Sequence, residues 1–213
     1  MATQAQPHSP EAAWLLRALL VLQSPRSVFA ALRDDSEEAA GARSEAVLAL
    51  VWLAGISAVL ASPQMNTLMD DPARNDVAIA AIVVFLAGGL YGGFAYLVLG
   101  GILHLSVRSA GSQGTFRRSR HLLAFALTPL ALAFVTFWVI RISIEGRALF
   151  QYGGRDGGGR AFADAFYVFV AWTVVLVAIG VRTIHGWSWP RALAVSGAAT
   201  AAAALLVLGT SVL

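Results

Sequence analysis

The sequence predicts an all-α polytopic membrane protein, a bundle of five transmembrane helices preceded by a short amphipathic segment. Three observations predict this class. Charged residues make up 13% of the 213 residues and hydrophobic residues 58%, whereas soluble domains carry about 25% charged residues. Several uncharged runs are long enough to cross, as helices, a bilayer core of roughly 30 Å. The arginines fall mainly in the short segments between these runs.

The uncharged runs divide the chain into a cytoplasmic N-terminal region, residues 1–43, and a membrane domain, residues 44–213. The predicted spans of the membrane domain are residues 45–62, 77–105, 121–141, 163–182 and 191–212. The second uncharged run, Val77 to Val107, exceeds the thickness of the bilayer core, so its helix must tilt, kink or project. The third span carries Pro129 near its middle, which predicts a kink because proline has no backbone donor.

The distribution of arginines predicts the orientation of the spans. With the N-terminus in the cytoplasm, five spans place ten arginines on the cytoplasmic side and five outside. Arginine is retained in cytoplasmic loops because moving its charge across the bilayer is costly. We therefore predict a multi-pass protein of the cell membrane with its N-terminus cytoplasmic and its C-terminus outside. The net charge of +3 then reflects membrane orientation, and nucleic acid is not an expected partner.

The N-terminal region contains a segment with helical periodicity, Glu11 to Arg33. We predict two short helices on the cytoplasmic face of the membrane, the second opened by Ser24 and Pro25 as N-cap and first helical residue. Apolar residues on one stripe and arginines beside it suit a membrane surface or a partner protein. The candidate contact residues are Trp14, Arg17, Pro25, Arg26, Phe29 and Arg33. In the alternative interpretation, the apolar residues pack on the membrane helices.

Paired glycines mark the second span. Gly88 with Gly92, and Gly89 with Gly93, form overlapping GxxxG patterns, which allow two helix backbones to approach closely. The contact is either within the chain or between two copies in a homo-oligomer. The glycine pairs and Pro129 are also the features that a transporter uses to break its helices around a substrate.

No motif indicates an enzyme. The chain has no cysteine, no His-Glu-x-x-His and no Gly-x-Ser-x-Gly, and its four histidines, at positions 8, 104, 121 and 185, lie in different segments. We therefore expect no catalytic residue, cofactor or metal site. We also expect no buried pair of opposite charges within the spans, which weighs against a transporter.

The order of features resembles the Yip family (Ypt-interacting-protein type) of integral membrane proteins. The matching pieces are the entry Ser24-Pro25-Arg26-Ser27-Val28-Phe29, the glycine-rich second span, the basic stretch leading into Leu123-Ala124-Phe125-Ala126-Leu127-Thr128-Pro129, and a Trp-flanked turn before Pro190-Arg191-Ala192. The resemblance covers roughly residues 20 to 207. It implies five transmembrane helices, an inside N-terminus and an outside C-terminus. Eukaryotic relatives act in vesicle traffic through prenylated small GTPases. The N-terminal region of about forty residues is short for such relatives and is similar to bacterial members.

These observations favour a non-enzymatic scaffold or adaptor for other membrane components. Its expected partners are the lipid bilayer, other membrane proteins and a further copy of itself. The alternative function is a small-molecule or ion transporter, or a channel component, that uses Pro129 and the Gly-Gly helix breaks.

Overall fold

The computed structural model describes residues 10–70, 76–152 and 159–211, and these ranges form helices and turns without a strand. The α-helices are α1 (Pro10–Leu20), α2 (Pro25–Ala31), α3 (Glu37–Ala42), α4 (Ser44–Ala61), α5 (Val77–Ser109), α6 (Phe116–Ala126), α7 (Thr128–Ala133), α8 (Val139–Glu145), α9 (Gly159–His185) and α10 (Trp189–Ser211). Short 3₁₀ turns cover Pro63–Thr67 and Gly146–Phe150. The two predicted N-terminal helices are thus α1 and α2.

Polar residues at the N-caps start several of these helices. The Ser36 hydroxyl accepts from Ala39 N at the start of α3, and the Asp76 carboxylate accepts from Ala78 N at the start of α5. The Thr115 hydroxyl does the same for Arg118 N at the start of α6. Each cap satisfies a backbone donor that the first turn leaves free.

Within the described residues, four helical segments are long and apolar enough to cross a membrane: Ser44–Ala61, Val77–Ser109, Phe116–Phe150 and Ala161–His185. The chain is therefore a multi-pass membrane protein. The fifth predicted span coincides with the 23-residue α10, and the count of five spans stays a prediction.

The third span is one helical path made of three α-helical pieces. It begins at Phe116, before the predicted start at residue 121, so the basic cluster that includes Arg117 lies in its first turns. Leu127 separates α6 from α7, in which Pro129 occupies the first turn, where its missing N–H costs little. The Thr128 hydroxyl donates to the Phe125 carbonyl (2.7 Å). A π-helical turn, Phe134–Trp138, then joins α7 to α8.

The spans pack into a bundle with two buried apolar clusters. We call the end at which Arg43, Arg117 and Arg191 lie the basic end. The cluster at the basic end includes Phe125, Leu176 and Val107, and the cluster at the opposite end includes Trp138, Met69 and Leu149. Helix α4 contacts α5 and the third span, and α10 contacts α5 and α9.

The end opposite the basic end contains a buried ion pair that contradicts one expectation from the sequence. Arg141 is 3% exposed, and its Nε donates to both carboxylate oxygens of Glu145 (3.2 Å each). Its guanidinium lies 5.4 Å from the Trp138 ring centroid and 5.2 Å from that of Phe162. The expectation of no buried charge pair was wrong because the span continues past its predicted end at residue 141, so both charges fall within it.

Candidate functional site

The N-terminal segment is packed against the basic end of the bundle. Trp14 is 7% exposed and Phe29 is fully buried. The ring centroids of Trp14 and Phe125 are 5.4 Å apart, which places α1 directly against the third span. The side chains of Trp14 and Phe29 therefore contact the protein's own helices, as the packing alternative describes.

The opposite face of α1 points outward and is apolar. Leu16 is 55% exposed, Leu19 59% and Leu20 46%; we call these three residues the outer leucine ridge. Arg17 lies between them in sequence, and its guanidinium covers the Trp14 ring at 4.7 Å from the centroid. Sequence reasoning missed the ridge because both faces of α1 are apolar and the stripe through Trp14 was the more conspicuous.

The remaining candidate contact residues lie at the surface of α2 and the turn that follows it. Pro25 begins α2, and Arg26 is exposed with no hydrogen bond or ion pair to the residues that the structure describes. The Arg33 guanidinium donates to the Thr183 carbonyl of α9, while the Arg33 carbonyl accepts from Arg118. Contact of Arg17, Arg26 and Arg33 with a partner or a membrane surface stays a prediction.

A buried group of polar residues connects the N-terminal segment to the spans. Arg43, just before α4, is fully buried. Its guanidinium donates from Nε to His121 Nδ1 (2.7 Å), from Nη1 to the Asp34 carbonyl (2.8 Å) and from Nη2 to the Asp35 carboxylate (3.2 Å). We call Asp35, Arg43, Arg117 and His121 the inner ionic cluster. It joins the turn before α3 to the first and third spans.

The Asp35 carboxylate is the anion of this cluster. It accepts from the Thr115 hydroxyl and from Arg117 Nε (3.1 Å), and Arg117 also pairs with Glu37 (2.6 Å). Burial alone would raise the pKa of Asp35, but the hydrogen bonds from Thr115 and Arg117 outweigh it and leave the pKa below its usual value. The stability that this lowered pKa contributes is present at neutral pH and is lost as the pH falls through the folded-state pKa.

The remaining members of the cluster have defined protonation states. Burial lowers the pKa of Arg43, with Asp35 opposing the shift, and arginine stays charged at neutral pH. Because Arg43 Nε is a donor, His121 Nδ1 must accept, which assigns the ring to its neutral form with the proton on Nε2. The cluster thus contains two cations, one carboxylate and one neutral imidazole.

The histidines of the described residues have separate partners. His121 contacts Arg43, His185 Nδ1 lies 3.2 Å from the Ser112 hydroxyl, and His104 Nδ1 lies 3.4 Å from the Ser119 hydroxyl. Within the part of the chain that the structure describes, no three His, Cys, Asp or Glu residues are grouped as metal ligands would be.

The glycine pairs of α5 face different surroundings. A Cβ atom on Gly92 would overlap the Val51 carbonyl of α4, and one on Gly88 would lie 2.8 Å from Ile56 Cα. A Cβ on Gly89 would meet the Trp52 ring at 2.5 Å, whereas one on Gly93 would have no atom within 4 Å. Gly55 of α4 lies at the same helix contact, since a Cβ atom added to it would lie 2.7 Å from Gly92 Cα.

The surroundings of these glycines show where α4 and α5 approach each other. Gly88, Gly92 and Gly55 lie where the two backbones come closest, and Gly93 points away from this contact. Sequence reasoning missed Gly55, although a single glycine inside an apolar helical run is a signal for close packing.

An apolar cavity of about 520 Å³ lies between α4, α5 and the third span, at the end of the bundle away from Arg43 and Arg117, with Leu60, Phe85, Phe134 and Phe150 among its lining residues. Its apolar lining does not suit a hydrophilic solute. Pro129 is buried in the bundle, and its helical path continues on both sides. The structure therefore offers no support for the transporter alternative.

The fold and this site define a polytopic α-helical membrane protein with an N-terminal segment fixed to one end of its bundle. The chain belongs to the Yip1 domain family, whose model matches residues 19–211. The match includes all of residues 20 to 207 and confirms the resemblance to the family, while the bacterial type stays a prediction. The family is not a family of enzymes. No curated protein and no solved structure is similar enough to the chain to match it.

Proposed function

We propose that this protein is a non-enzymatic scaffold or adaptor, and that the outer leucine ridge of α1 binds another membrane protein. The single observation that supports the proposal is an exposed apolar ridge on a helix whose other face is buried. The buried residues Trp14 and Ala18 fix α1 on the bundle. The inner ionic cluster fixes the chain segment that follows α2. The surface is therefore preorganised, which lowers the entropy lost on binding.

Burial of the ridge contributes to the free energy of binding. A leucine side chain moved from full exposure to full burial contributes about 1.5–3 kcal/mol. Leu16, Leu19 and Leu20 are about half exposed, so a partner would bury roughly half of that for each. The neighbouring Arg17 adds a cation that favours an acidic partner surface.

Substitution of the ridge tests the adaptor role. We expect the double variant Leu16→Ser, Leu20→Ser to reduce the amount of co-purifying membrane protein at least about tenfold, because two anchoring leucines are lost. The measurement is quantitative mass spectrometry of the tagged protein from gently solubilised membranes. Deletion of the segment is a poorer test, since Val21, Phe29 and Leu32 are fully buried and their removal would damage the fold.

The matched control carries serine at Leu105 and Leu193, which are 66% and 55% exposed on α5 and α10. It should retain the partners. Equal loss in both variants, or full retention in the ridge variant, would contradict the proposal. Two differently tagged copies in one cell show whether the partner is a second copy of this chain.

We further propose that the basic end lies in the cytoplasm and that α10 is a fifth span. The support is the concentration of arginines at that end, including Arg43, Arg117 and Arg191. The chain has no cysteine, so single cysteines report their side without background.

An impermeant thiol reagent applied to intact cells tests this topology. We expect labelling of Tyr152→Cys, whose position is 85% exposed, and of a cysteine added after Leu213. We expect no labelling of Gln113→Cys or Ser188→Cys, at exposed positions near the basic end, until the cells are permeabilised. Labelling of Gln113→Cys in intact cells would show that the protein has the opposite orientation. Protection of the added C-terminal cysteine would show that α10 does not span the membrane.

A further inference from the structure

A polar cavity of about 330 Å³ lies at the turn between α5 and α6, lined by Arg108, Gly111, Ser112, Gln113 and Gly114. The turn has a defined shape. Gly111 has φ +88°, a conformation that favours glycine. The Ser112 hydroxyl accepts from Gly114 N (3.0 Å) and contacts His185 of α9. The cavity is therefore formed by a fixed turn that is held from a second helix.

Arg191 of α10 also fixes this turn. Its guanidinium donates to the Ala110 carbonyl, one of the carbonyls that the end of α5 leaves free. The same guanidinium lies 4.3 Å from the Trp187 ring centroid. Stacking on an aromatic ring and one hydrogen bond leave the other donors of Arg191 available.

The positive charge around the cavity is not compensated. Arg108 is exposed, and its guanidinium has no hydrogen bond or ion pair to any residue that the structure describes. Arg191 forms no ion pair with the described residues either. The acids that are paired at this end, Asp35 and Glu37, are bound to Arg43 and Arg117. An anion would therefore meet cations that no described carboxylate neutralises.

We infer that this cavity binds the phosphate group of an anionic membrane phospholipid. Arginine presents parallel donors that match phosphate oxygens. The cavity lies at the end of the α5 span, and Trp187 of the α9–α10 turn stacks on His185, which contacts Ser112 of the cavity. Tryptophan concentrates at the level of lipid headgroups. Basic pockets between the ends of transmembrane helices are suited to acidic headgroups. This inference is independent of the adaptor role.

Lipid retention measured by native mass spectrometry tests the site. The purified chain in neutral detergent is titrated with phosphatidylglycerol, and in parallel with phosphatidylcholine. We expect preferential retention of phosphatidylglycerol, and about fivefold weaker binding in Arg108→Gln, the typical effect of one arginine near a lipid surface. Because the Arg108 side chain forms no hydrogen bond or ion pair with the described residues, we expect its replacement to leave the fold intact.

Two comparisons keep the test specific. Arg147→Gln removes an exposed arginine from the Gly146–Phe150 turn at the opposite end of the bundle, and should leave lipid retention unchanged. Free sn-glycerol 3-phosphate, which has the headgroup phosphate without acyl chains, should compete only weakly. Equal effects of the two substitutions would show non-specific attraction and overturn the inference. Strong competition by glycerol phosphate would show that the site binds a free phosphate compound and not a lipid. Equal retention of both lipids would show that the site does not select an anionic headgroup. Either result would overturn the inference.

Discussion

Gly92→Leu is expected to destabilise the folded bundle by about 3 kcal/mol, the upper part of the range for overpacking. A Cβ atom at this position would overlap the Val51 carbonyl and lie 3.2 Å from Gly55 Cα. These obstacles are backbone atoms, which no change of rotamer can move away. The α4–α5 contact must therefore open along its length. The measurement is the fraction of monodisperse protein that survives a temperature series in detergent.

Gly93→Leu is the matched control on the same helix. A Cβ atom on Gly93 would have no neighbour within 4 Å, and replacement of glycine in a helix favours the helix by up to about 1 kcal/mol. We expect this variant to be as stable as the original protein or slightly more stable. If the two leucine variants lose the same amount of folded protein, the proposed packing of α4 on α5 is wrong.

Arg43→Met is the second substitution with a large expected effect, about 3–5 kcal/mol, which is typical when one partner of a buried ionic group is removed. Methionine has a comparable length but no donors. The Asp34 carbonyl and His121 Nδ1 would lose their partner, and the Asp35 carboxylate, whose side chain is 6% exposed, would keep only Thr115 and Arg117. The measurement is again thermal survival in detergent.

Two further variants separate the inner ionic cluster from the general effect of losing an arginine. Arg26→Met removes an exposed arginine and should change stability by no more than about 0.5 kcal/mol. Addition of Asp35→Asn to Arg43→Met should recover part of the loss, because the buried carboxylate then no longer needs a cation. A double variant that is less stable than the sum of both single changes would show that the cluster is not organised around this pair.

Much of the fold follows from the sequence. Uncharged runs predicted the spans that coincide with α4, α5, the third span and α9, because a helix in a bilayer must hide its backbone polar groups and present apolar side chains. Ser24 and Pro25 predicted the start of α2. The order of features in the spans and the turns indicated the Yip family, and the match over residues 19–211 confirms it.

The details of the candidate site could not be predicted in the same way. Arg43 stands immediately before an apolar run and Asp35 stands in an acidic turn, so each looked like an ordinary solvated charge. Only folding brings Arg43 to His121, which lies 78 residues further along the chain. The one available signal was charge complementarity between the acidic stretch, residues 34–38, and the basic stretch, residues 117–120.

The sequence by itself determined that this chain is a helical membrane protein, because composition and run length decide whether water or lipid is the better solvent for a segment. It did not determine which face of each helix is inside. Lipid tails and a protein core are equally apolar, so hydrophobic periodicity does not separate a buried face from a lipid-facing one. Only the tertiary structure decided that Gly92 contacts α4 while Gly93 does not, and that Trp14 faces inward while Leu16 faces outward.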